Sequence, residues 1–133
     1  MYVPTRAPPS PLQDDYGLTW SAPEYFGDVK SGSCEAGVLV DKVDGSLYIS
    51  VGASDTPPNT GRMRMTLHRS KDGGASWDNG VLLDANRTAY SQLVTLDSRR
   101  GEIGVLWEAL SPDLVFIGEM RLQWISTATL MQV

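Results

Sequence analysis

Residues 62–108 read RMRMTLHRSKDGGASWDNGVLLDANRTAYSQLVTLDSRRGEIGVLWE. In 62–69, polar and apolar side chains alternate. Arg62, Arg64, Thr66 and His68 fall on one face of a strand, and Met63, Met65, Leu67 and Arg69 on the other. A Gly-rich turn closed by Trp77 follows, then a short strand VLL at 81–83 and a polar loop DANRTAY at 84–90. Apolar runs at 91–96 and 102–107 form a second hairpin through SRRGE. Strand-length runs separated by Gly, Asn and Asp clusters, with weak 3.6-residue periodicity throughout, predict an all-β meander of antiparallel strands.

Outward from this stretch the pattern continues. GVLV (37–40) and SLYIS (46–50) are joined through Asp44-Gly45, a strong hairpin signal. GASDTPPNTG (52–61) reads as a long loop, and LVFIGEMRLQWIS (114–126) as two strands or one long one. Residues 1–12 form an extended, Pro-rich lead-in, and 127–133 a tail. Asp15, Gly17 and Trp20 in QDDYGLTW share their offsets with Asp72, Gly74 and Trp77 in SKDGGASW, an internal repeat of 72 − 15 = 57 residues. That period fits one four-stranded sheet per repeat, as in a propeller blade.

The 133-residue chain is 41% hydrophobic, enough for one domain core. Its net charge of -5 and pI near 4.7 argue against a nucleic-acid partner, which requires a basic face. Cys34 is alone, so no internal disulfide braces the fold. No apolar run approaches the ~18 residues of a membrane span, and the start carries no apolar signal-peptide region. His68 lacks clustered partners, so neither a metal site nor a cofactor is expected. Asn86-Arg87-Thr88 is a glycosylation sequon, relevant only in the secretory pathway.

In order along the chain, several of these features resemble the exo-α-sialidases (neuraminidases) of the six-bladed β-propeller type. SKDGGASW matches the Asp-box pattern Ser/Thr-x-Asp-x-Gly-x-x-Trp through Ser70, Asp72, Gly74 and Trp77. QDDYGLTW matches with Gln13 in place of the hydroxyl. GRMRMTLHRS is similar to the strand that carries one arginine of the family's carboxylate-binding triad. TAYSQL resembles the tyrosine nucleophile segment, and GEIGVLWE the strand that ends in a glutamate. The resemblance covers 13–126 and implies the C-terminal part of such a propeller, two to three blades.

The implied substrate is a sialylated glycoconjugate. Sialic acid carries a carboxylate on its anomeric carbon, and guanidinium groups bind carboxylates bidentately at any working pH. By resemblance Arg62 is that group, with Arg64 on the same strand face as the alternative. Tyr90 is the nucleophile, since a neutral phenol escapes the repulsion that an anionic carboxylate nucleophile would meet. Glu108 supports an arginine. Asp15, Gly17, Trp20, Ser70, Asp72, Gly74 and Trp77 are structural staples of their hairpins.

The family's general-acid Asp, the glutamate paired with its tyrosine and its first arginine find no counterpart here. Arg6 does not fit the second arginine, and Glu24 and Glu35 lack the surrounding motif. The isolated chain is therefore expected to be inactive. The alternative function is a non-catalytic Asp-box propeller segment that binds glycans or proteins. A geometric test separates the two: Arg62, Tyr90 and Glu108 converging on one mouth favours the hydrolase, and opposed side chains the binding module.

Overall fold

The computed structural model describes residues 18–19, 29–31, 34–52, 62–110 and 117–131. The first repeat's Asp15, Gly17 and Trp20, the lead-in and most of the 52–61 loop lie outside these residues. The fold is all-β. Six antiparallel strands pair in chain order: β1 (Gly37–Val40), β2 (Leu47–Gly52), β3 (Met63–Ser70), β4 (Val81–Val94), β5 (Glu102–Leu110) and β6 (Ile117–Ser126). Among the described residues, helix is limited to two single 3-10 turns, Asp97–Arg99 and Thr129–Met131.

The β1–β2 turn forms as its Asp-Gly pair dictates. Gly45 takes φ 74°, and the Asp44 carboxylate accepts the Ser46 amide at 2.9 Å. The second hairpin turns at Gly101, also at positive φ. The 14-residue β4 gives the sheet its shape. Its first half pairs with β3 up to Arg87, and its second half, from Thr88, pairs with β5. The sheet curls into a half-barrel around this strand, which brings β1 against the far half of β4. The contact is close: a Cβ on Gly37 would stand 2.9 Å from the Gln92 Cα and 2.7 Å from the Ser50 hydroxyl.

One core fills the curl. Tyr48, Met65 and Leu67 from one half pack with Leu93, Ile103, Val105, Trp107 and Ile125 from the other. Burying side chains of this size stabilises the fold by about 1.5–3 kcal/mol each. Leu130, in the segment read as a tail, is buried in the same core.

Two sequence expectations need correction. Residues 84–90 are strand, because the first half of β4 continues through them along β3 and into the β5 ladder. The alternation of 62–69 holds from Met65 to Arg69 and fails before it. Arg62 precedes β3, and Arg64 sits at φ 57° between register shifts, so the two arginines share no continuous strand face. Of the two readings offered for 114–126, the structure takes the single strand, over 117–126.

Candidate functional site

The site is built on irregularities in β4. Thr88 faces Ala109 and Ser91 faces Trp107, so β4 spends three steps where β5 spends two. The extra residue falls at Ala89-Tyr90, opposite Glu108. Such a bulge leaves one amide off the ladder and re-aims a side chain. The Tyr90 amide donates to Glu108 Oε2 at 3.3 Å, and Tyr90 is 44% exposed.

Arg62 arrives from the other side. Its carbonyl accepts the Thr88 amide at 2.8 Å, which pins the start of β3 to the bulged part of β4. Its guanidinium carbon lies 5.3 Å from the centroid of the Tyr90 ring. This cation–π contact is worth about 0.5–1 kcal/mol at an exposed position. A bidentate bond to a carboxylate would use the N–H groups in the plane of the guanidinium.

Arg62, Tyr90 and Glu108 are thus brought together at the bulge in β4. Arg64, left-handed in its bulge, is fixed in part by its carbonyl, which accepts the Thr66 hydroxyl at 2.9 Å. Behind Tyr90, Cys34 packs with Ala89 and Leu110. Burial pushes its thiol pKa up, the Arg62 charge lowers it and the Glu108 charge raises it, for a net rise. A thiol so held is protonated and poorly nucleophilic. Composition gave no sign that Cys34 stands there.

The SKDGGASW turn, read above as an Asp-box, lies at the opposite end of β3 from Arg62, about 23 Å away at the usual rise per strand residue. Asp72 accepts the Ser76 hydroxyl and amide and the Ser70 hydroxyl, and these bonds hold its carboxyl down at about 2. The Ser70 hydroxyl also accepts the Gly74 amide at 2.8 Å, Gly74 takes φ 97°, and the Trp77 indole N–H donates to the Gly74 carbonyl at 3.2 Å. Every bond of this set closes the turn on itself.

Two buried polar groups were not singled out by the sequence. The Ser91 hydroxyl donates to the Ser50 carbonyl at 2.9 Å and meets the Ser50 hydroxyl at 2.8 Å, joining the halves of the curl directly behind Tyr90. Asp84, 5% exposed, accepts Arg121 Nη1 at 2.6 Å, the Trp107 indole N–H at 3.3 Å and the Asn86 amide at 2.9 Å. Burial raises its pKa, the Asn86 and Trp107 hydrogen bonds and the Arg121 charge lower it, and the net shift is downward. Asp84 is therefore an ionised strut and not a proton donor.

Among the described residues no group of three His, Cys, Asp or Glu could hold a metal ion, and no helix is long and apolar enough to cross a membrane. The chain matches no protein-family model and no curated protein.

Proposed function

We propose that the Arg62, Tyr90 and Glu108 cluster is the carboxylate-facing part of a sialidase-like site, in a partial β-propeller of the Asp-box type. What supports this reading most is the position of the Arg62 guanidinium over the ring of the exposed Tyr90, at a bulge opposite Glu108. It sets a guanidinium and a phenol side by side, as binding an anomeric carboxylate and attacking the adjacent carbon require. Arg62 takes the carboxylate of a terminal sialic acid in the plane of its guanidinium. In a complete site of this kind the phenol oxygen of Tyr90 would attack the anomeric carbon as the bond to the leaving sugar breaks, with a base taking the phenol proton and an acid protonating the leaving oxygen, neither of which the described residues supply. Glu108, which accepts the Tyr90 amide, keeps the bulge in position for that attack.

The chain offers no counterpart of the family's base or general acid, so by itself it binds and does not turn over. The second reading, a non-catalytic module for glycans or proteins, is favoured by the self-contained Asp-box, whose bonds involve neither Arg62 nor Tyr90.

Calorimetric titration with a methyl α-sialoside and with its carboxyl methyl ester tests the hydrolase-type reading. A charge-assisted pair is worth about 1.5–3 kcal/mol, so the acid should bind about tenfold to a hundredfold more tightly than the ester. Arg62→Ala should remove that preference. Equal binding of acid and ester, or a preference that survives Arg62→Ala, refutes it.

A further inference from the structure

The strand farthest from β1 is left uncovered. Along β5, Ile103, Val105, Trp107 and Ala109 are buried and face the core. Leu106 and Glu108 point the other way, opposite Leu122 and Met120 of β6. Met120 is 56% exposed and Leu122 55%. Their neighbours on β6, Glu119, Arg121 and Gln123, pair with core-facing residues of β5 yet are exposed as well. From Gly118 to Gln123 β6 is exposed on both faces, and among the described residues its only strand partner is β5. A bare edge of this kind is a template for another strand.

The order of charges along the edge selects the occupant. Glu119, Met120 and Arg121 form a self-complementary triplet. If β6 pairs antiparallel with a second β6 about a two-fold axis through Met120, each Glu119 stands opposite the partner's Arg121. Directly opposed unlike charges favour a sheet pair, and like charges disfavour it. Arg121 is also set in place beforehand: Asp84 holds one end of its guanidinium at 2.6 Å, and Glu119 of the same chain contacts it from the side.

We propose that this chain forms a two-fold dimer through β6, edge to edge, with a second copy as the added strand. The contact is isologous and closes at two subunits. It lies on the strand beyond β5, so it does not depend on how Arg62 and Tyr90 function.

Sedimentation or light-scattering mass over a concentration series tests the proposal. The protein should approach twice the 14.5 kDa of one chain as concentration rises. Glu119→Lys places like charges opposite each other twice, and should raise the dimer dissociation constant by about tenfold or more with circular dichroism unchanged. Leu106→Asp, which lies off the edge on β5, should leave the mass unchanged. Amide exchange within β6, and not within β5, should slow as concentration rises, a readout that holds even if a variant folds poorly. Monomer at all concentrations, an open ladder of masses, or a dimer broken by Leu106→Asp and indifferent to Glu119→Lys overturns the proposal.

Discussion

Asp72 illustrates how a single side chain fixes a turn. Its carboxylate gathers two hydroxyls and an amide within seven residues, and these bonds lower its pKa from 3.8 to about 2. A group whose folded pKa is depressed contributes stability above its unfolded pKa, and that contribution disappears as pH falls through the folded value. The Asp72 contribution should therefore be intact above pH 4 and lost between 3.8 and about 2. Denaturant melts of the protein and of Asp72→Asn at stepped pH should converge across that window, and a constant gap would contradict the assignment. Tyr90 and Arg62 behave differently. Their placement follows from one inserted residue in β4 and one carbonyl hydrogen bond, not from strong local bonds of their own.

Among the elements, β4 carries the architecture because it belongs to both halves of the curl, and its neighbours are cut to fit. Gly37 is the clearest case. An added methyl group would meet the backbone of Gln92 and Leu93 at 2.9 Å, and backbone yields less readily than a flexible side chain. Gly37→Ala should cost about 1–3 kcal/mol, the usual range for overpacking, measured by urea denaturation. Asp84 ties the same strand to β5 and β6. Asp84→Ala strands the buried Trp107 N–H and releases the half-exposed Arg121, so it should cost about 1–3 kcal/mol by the same measurement. A loss under 0.5 kcal/mol for Asp84→Ala, within the ordinary range for surface changes, would show that it is no strut.

This strand also marks where the sequence stops being informative. Asp44-Gly45 announces its turn, and Met65, Leu67 and Arg69 announce their face, because both signals are local. DANRTAY reads as loop because Asp and Asn disfavour strands, and only the donors from Asn86, Trp107 and Arg121 make a buried Asp84 tolerable there. Bulges are invisible for the same reason, since register is a property of two strands. Arg62 and Arg64 therefore read as neighbours on one face, while Tyr90 reads as a loop end.

For the whole molecule, the described strands form one curled sheet, and the bulge in β4 gathers Arg62, Tyr90 and Glu108 on it. The Ser70–Trp77 turn braces one end of β3 and the Arg62–Tyr90 pair lies at the other, so the brace and the proposed site are separated along a single strand. The role proposed for these two side chains is to share a ligand with an acidic group. Amide chemical shifts, recorded while a methyl α-sialoside is titrated into the protein, test it most directly. Shifts should concentrate at Met63 and at Thr88 to Ser91, spare Asp72 to Ser76, and vanish in Arg62→Ala. Shifts confined to the Asp-box, or unchanged by Arg62→Ala, would contradict it.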